Sequence, residues 1–317
     1  MRILVVGAGS VGGYFGGRLA VAGRDVTFMV RAARAAQLQR DGMSIVSQYG
    51  DFTFAPKTIA ATDIDAPYDV VLLAVKAYGL DAAIKDFAPA VGPQTMILPL
   101  LNGMRHVDML IADFGENAVL GGTTYISTDL DSDGRILHLG PLQDLMYGER
   151  STEVTPRIRA LQAVLSDANF AEILSPDIVA FMWRKWMMLA ALASITCLLR
   201  GSIGEVAATS KGVKTAHAII DECAAIASAE GYLMPPDYLE ETHRRLSKPG
   251  SDLTASMYRD LQKGASVEVD QIIGDLLRRG DLHGVDAPLL RSACVQLGIY
   301  QARLAGTKRH SIDDGKR

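Results

Sequence analysis

Cysteine is scarce in this chain, and metal-ligand spacing is missing altogether. Three cysteines, Cys197, Cys223 and Cys294, lie far apart with no CxxC or Cys/His pattern. An odd count without a disulfide framework suits a reducing cytoplasm, with small core filler as the expected role of each. The six histidines are scattered without HExxH or paired spacing, so a zinc site has no support and no metal is expected. Neither sign of charge dominates, since 32 Lys and Arg face 36 Asp and Glu, a net charge of −4. That balance gives no reason to expect nucleic acid or an anionic membrane as partner. The most apolar uncharged stretch, Trp186 to Leu199, has fourteen residues. A membrane span needs about 20, so it reads as a buried helix. No charged n-region or cleavage site marks the N-terminus as a signal peptide, and a cytoplasmic location is expected.

What is present is a chain able to fold. Of 317 residues 49% are hydrophobic and 21% charged, which suits a sizeable core, argues for about two domains and excludes disordered or collagen-like architectures. In the first hundred residues, continuous apolar runs (Ile3 to Val6, Val26 to Val30, Val70 to Val75, Met96 to Leu98) alternate with helical stretches. Such runs are strands buried on both faces, so a parallel sheet covered by helices is expected. Met43 to Phe54 resembles a hairpin inserted in that sheet. Between Gly121 and Gly148, three short strands around the Asp131-Ser132-Asp133-Gly134 turn read as an antiparallel extension at its edge. After Ser151 helical patterns dominate. The boundary is placed at 168/169, dividing an α/β domain (1–168) from an all-α domain (169–317). The polar tail, Gly306 to Arg317, reads as frayed.

Gly7-Ala8-Gly9-Ser10-Val11-Gly12 is a GxGxxG motif directly after a strand and at the start of a helix. Gly7 allows the tight turn, Gly9 lets the backbone approach a pyrophosphate, and Gly12 lets helix and strand pack closely. The helix N-terminus offers unpaired N–H groups and a positive dipole end to phosphates. An NAD site would carry an acid after the second strand, but none occurs from Val26 to Arg40, and Arg31 and Arg34 stand there instead. Arginine pairs with a 2′-phosphate through its planar fork. Arg31 is assigned that role and NADP(H) is the expected cofactor. For Arg34 a solvated helix-start position is an equal alternative.

Lys76 and Asn102 follow the third and fourth apolar runs, at strand ends where open parallel sheets place ligands. Lys185, Leu189 and Ala193 share one helical face. A lysine on an apolar face is desolvated, which lowers its pKa and improves it as a proton donor; a snorkelling lysine at a helix start is the alternative. Taken singly, Ser256 reads as a helix-start residue and Glu268 as a solvated first-turn acid.

Together, GAGSVGG, LLAVKAYGL, LPLLNGM, WRKW and SMYRDLQKGASVEVD resemble the ketopantoate reductase (2-dehydropantoate 2-reductase) family, in order and spacing over nearly the whole chain. The resemblance implies an NADP(H)-binding Rossmann domain joined to an all-α domain of the 6-phosphogluconate dehydrogenase-like kind, with the active site in the cleft between them. It also implies hydride transfer from NADPH to C2 of a 2-oxo acid, converting ketopantoate to (R)-pantoate in pantothenate biosynthesis. Carried over by residue, Lys185 is the general acid, Asn102 positions substrate and nicotinamide ribose, and Lys76 helps fix cofactor and substrate. Ser256 binds the substrate carboxylate, and Glu268 holds a substrate hydroxyl and takes part in the cofactor site. Gly7, Ala8, Gly9, Ser10, Val11, Gly12 and Arg31 match the NADPH-binding positions. One departure stands out: where the family usually has asparagines four and eight residues after its lysine, this chain has Leu189 and Ala193. A more apolar 2-oxo acid suits such a floor better, which leaves a paralogous reductase as the alternative. Ser194 and Thr196 are nearby hydroxyls, but an ideal helix points them elsewhere. A non-catalytic NADP(H)-binding sensor would need Arg31 and the glycines but not Lys185, Ser256 or Glu268. Helical substrate domains in dehydrogenases of this kind often pair, so a homodimer is expected by analogy.

Overall fold

The computed structural model describes residues 1–314 and shows two compact units, Met1–Met182 and Trp183–Arg317. In the first unit, five strands form a parallel sheet in the order β5-β2-β1-β6-β7. They are β1 (Arg2–Val6), β2 (Asp25–Met29), β5 (Lys57–Ile59), β6 (Val70–Leu73) and β7 (Met96–Pro99). β6 and β7 are buried along their whole length, as the continuous apolar runs require. Helices α1 (Ser10–Val21), α2 (Ala32–Asp41), α3 (Leu80–Phe87) and α4 (Arg105–Phe114) follow strands of this sheet. The chain runs from β1 outwards to β2 and β5, then crosses back to β6 on the other side of β1. That reversal creates a switch point at the C-terminal ends of β1 and β6.

The hairpin β3 (Met43–Val46) and β4 (Phe52–Phe54) forms as expected but does not enter the parallel sheet. It joins a second sheet with β8 (Gly121–Leu130), β9 (Ile136–Gly148) and β10 (Ala171–Leu174). Two of the three short strands expected in this region are one continuous β9, paired with β8 across a bulge between Ile126 and Thr128. β9 also pairs parallel with β3 and with β10. The pairing of β10 holds residues 171–174 to the first unit, past the expected boundary at 168/169. Helix α5 (Pro156–Leu165) precedes β10 and is capped by Thr155, whose side chain accepts the Ile158 N–H.

Helix α1 packs against both sheets, and its glycines make that possible. A Cβ on Gly16 would lie 2.8 Å from Phe28 and Val5 of the parallel sheet. On Gly13 it would lie 2.4 Å from Ile136, and on Gly17 2.7 Å from Ile45, both of the second sheet. Each glycine costs a helix about 1 kcal/mol relative to alanine, so close packing on two faces has to offset that penalty.

The second unit is helical among its described residues. It contains most of α6 (Ile178–Leu199), then α7 (Ile203–Ala207), α8 (Gly212–Ala229), α9 (Pro236–Arg245), α10 (Ser256–Gln262), α11 (Asp275–Leu282) and α12 (Pro288–Asp314). Ser202 and Glu205 close a reciprocal capping box on α7. By length and composition α6 is apolar enough to cross a membrane, yet 72% of that window is buried inside the protein, as in a core helix. The tail expected to fray from Gly306 continues as α12 to Asp314; the rest of that expectation, residues 315–317, lies outside the described residues.

Candidate active site

The glycine turn after β1 has the geometry its spacing implies. Gly7 adopts φ +98°, and a Cβ there would sit 2.9 Å from the Ala74 carbonyl oxygen in the segment after β6. A Cβ on Gly12 would meet the Gly7 carbonyl oxygen at 2.2 Å and the Ala74 Cβ at 2.8 Å. Side chains are therefore excluded at both positions, one by conformation and contact, the other by contact. Gly9 is the opposite case, because a Cβ there would meet nothing within 4 Å. Its backbone borders open space at the start of α1, where no side chain caps the helix and no acid sits in the first turn. Ser10, Val11 and Gly12 thus begin a helix whose first N–H groups have no intrahelical partner. This cradle fits a dinucleotide pyrophosphate.

Arg31 is exposed and occupies the N-cap position of α2, just beyond β2, without a side-chain capping bond. Arg34 is not solvated. It is half-buried, and its Nη1 donates to Gln37 Oε1 (2.6 Å) and to the Gly134 carbonyl (3.2 Å). Burial lowers its pKa from the usual value, and its Nε and Nη2 are buried without a partner. Its observed contacts tie α2 to the β8–β9 turn.

Lys76 is exposed at the start of a short 3-10 turn after β6, and half-buried Asn102 follows β7, next to Gly103 at φ +84°. Because β1, β6 and β7 are neighbours, the glycine turn, Lys76 and Asn102 lie along one edge of the parallel sheet.

In the second unit, Lys185 is only 8% exposed on α6. Burial lowers its ammonium to about 8, so the group sits among packed side chains rather than snorkelling. On the same face Leu189 is half-buried and Ala193 buried. The hydroxyls that follow do not replace two amides: Thr196 Oγ1 donates back to the Leu192 carbonyl (2.8 Å), and Ser194 Oγ is buried with no partner. Ser256 is exposed as the first residue of α10, whose N-cap is Ala255. Glu268 is half-buried, not a solvated acid, and its carbonyl accepts the Ile272 N–H (3.1 Å).

Sequence reasoning passed over several buried polar groups, notably His106 in α4 and Gln271 and Asp275 beyond Glu268. It also missed a π-helical turn at Asp270–Gly274. Four carboxylate or amide residues in the eight positions from Glu268 to Asp275 were the available signal for Gln271 and Asp275. Among the described residues, no group of three or more His, Cys, Asp or Glu side chains could hold a metal ion.

Comparison with known proteins adds the following. The family model described as ketopantoate reductase PanE/ApbA matches residues 3–152, and its C-terminal counterpart matches residues 177–301. An uncharacterized oxidoreductase, YkpB of Bacillus subtilis, is 38% identical over 302 residues, covering 95% of this chain and 99% of that protein. The crystal structure of 2-dehydropantoate 2-reductase from Methylococcus capsulatus superposes with a TM-score of 0.84 at 27% identity, covering 96% and 98% of the two chains. A D-mandelate dehydrogenase solved with NADH and anilino(oxo)acetate shares the fold, with a TM-score of 0.85 at 22% identity and coverage of 96% and 100%.

Proposed function

Because the chain belongs to the ketopantoate reductase family, we propose that it is a cytoplasmic NADPH-dependent reductase of a 2-oxo acid. Ketopantoate is the first substrate to test, and (R)-pantoate for pantothenate synthesis is its product. The observation that carries this reading is Lys185, a lysine buried on an apolar helix and lowered to about 8. A donor with a pKa near the working pH is matched to handing a proton to a carbonyl oxygen.

A nicotinamide dinucleotide held through its pyrophosphate on the glycine turn would supply hydride to the substrate's C2. The residues of the chain do the rest. The open backbone at Gly9 and the first N–H groups of α1 hold the pyrophosphate, and Arg31 pairs with the 2′-phosphate. Asn102 and Lys76 orient substrate and cofactor from the strand ends, and Glu268 takes a substrate hydroxyl and assists at the cofactor. Ser256 receives the carboxylate. Lys185 holds its proton at the carbonyl oxygen, and its charge stabilises the oxygen as negative charge develops there. A sensor without turnover has no need of the buried lysine. In solution the chain acts as a homodimer in this reading.

A second reading keeps the chemistry and changes the substrate. Leu189 and Ala193 stand where amides are usual, and neither Ser194 nor Thr196 makes up for them. A 2-oxo acid with an apolar side chain fits such a floor, and the same fold serves a D-mandelate dehydrogenase. The test is NADPH consumption with ketopantoate beside a panel of aliphatic and aryl 2-oxo acids. Preference for ketopantoate upholds the first reading, preference for an apolar acid the second, and no turnover of any 2-oxo acid removes both.

A further inference from the structure

Lys185 is followed by a tryptophan that ties its helix to the segment carrying Glu268. Trp186 is 1% exposed, and its Nε1–H donates to the Ile272 carbonyl at 2.9 Å. Ile272 lies in the π-helical turn Asp270–Gly274. The Asp275 N–H there reaches back five residues to the Asp270 carbonyl, whereas one turn earlier the Ile272 N–H reaches back four, to Glu268. A change from four-residue to five-residue spacing displaces the hydrogen-bond ladder by one position. A carbonyl left without an intrahelical donor needs another, since buried backbone oxygens are rarely unpaired. The indole of Trp186 bonds to one carbonyl of this turn from outside its helix.

The indole is itself fixed. Its ring lies 4.8 Å from that of Trp183, which stacks on Tyr232 at 4.9 Å. The Arg279 guanidinium sits 5.7 Å from both indole rings and is held by Asp275 and Glu230. The Trp186 donor is therefore held on a rigid platform, and the wide turn is pinned one helical turn beyond Glu268.

We propose that Trp186 is a positioning residue for the 2-oxo acid site: its indole N–H fixes the π turn and so sets where the Glu268 carboxylate meets substrate. This rests on the reductase reading, and wild-type turnover of a 2-oxo acid, measured first in the same assay, tests that reading separately. In an active enzyme, Trp186→Phe keeps the ring and removes the donor. KM for the 2-oxo acid is expected to rise about 3- to 10-fold, the usual effect of one lost hydrogen bond, with kcat changing less. On a Glu268→Gln background the same substitution adds less than about twofold, because both changes act through one carboxylate. An unchanged KM, or effects that multiply in full, overturns the proposal. The chain has two tryptophans, so a measurement on the unmodified enzyme covers the case in which the variant fails to fold. The Trp186 indole N–H resonance, assigned with Trp183→Phe, shifts when a 2-oxo acid binds, and no shift overturns the positioning role.

Discussion

Lys185 shows how one buried cation can cost stability. Its folded value of about 8 lies below the ordinary 10.5 because burial penalises the charged form. Below pH 8 the folded protein therefore carries a disfavoured cation, and the cost is relieved as pH rises from about 8 towards 10.5. Lys185→Met should stabilise the protein at pH 7 by up to about 3 kcal/mol, read from urea unfolding, and lower kcat at least about 10²-fold. Reduction by the wild type should decline as pH passes about 8. A methionine variant less stable than wild type would show that something other than burial sets the lysine's pKa. Arg31 is the second residue whose role can be isolated. Arg31→Ala should raise the Kd of NADPH roughly 10- to 100-fold, as expected for a lost charged hydrogen bond, with a much smaller change for NADH. Equal losses for the two cofactors would remove the 2′-phosphate assignment. Both candidates were singled out in the sequence, one as a lone cation on an apolar face, the other as an arginine where an acid is usual. The surroundings of Arg34 were not legible there, because its bond to the Gly134 carbonyl reaches a turn a hundred residues away.

At the scale of elements, the glycine turn separates folding from binding within six residues. Gly12→Ala places a methyl group 2.2 Å from a backbone oxygen, and such overpacking costs about 1–3 kcal/mol or more. Gly9→Ala meets no protein atom within 4 Å. Its thermal midpoint should stay near wild type while NADPH binding weakens, measured by fluorescence titration. If Gly9→Ala unfolds the protein, or binds NADPH normally, the cradle has been read wrongly. Strands with continuous apolar runs, such as β6 and β7, could be read directly because burial on both faces leaves that trace. β5 and β10 could not: Lys-Thr-Ile and Ala-Glu-Ile-Leu are short and half-exposed. Nor could the sheet to which the β3–β4 hairpin belongs, since local alternation fixes a strand but not its distant partner. The π turn has no compositional mark at all, and only the backbone reveals it.

For the whole molecule, the sequence texture changes near residue 150, whereas the two compact units divide at Met182/Trp183. That change was read as a domain limit, but β10 pairs with β9 in the second sheet of the first unit after the helical pattern has begun, so texture and domain diverge. Cofactor binding should be visible at this scale as well. NADPH at a hundred times its Kd should stabilise the protein by about 2.7 kcal/mol. Amide exchange should slow most around residues 7–13 and 29–33, and exchange unchanged there would place the cofactor elsewhere. The packing of α1 also bears on how this protein can evolve. Its N-terminal end is the proposed coenzyme cradle, while a Cβ at Gly13, Gly16 or Gly17 would crowd side chains of one sheet or the other. Substitution at those three glycines forces neighbouring side chains to move, so a lineage changing from one nicotinamide coenzyme to the other is expected to draw its variation from the exposed Arg31 position after β2. A mutant library aimed at coenzyme preference belongs there too, with α1 held constant.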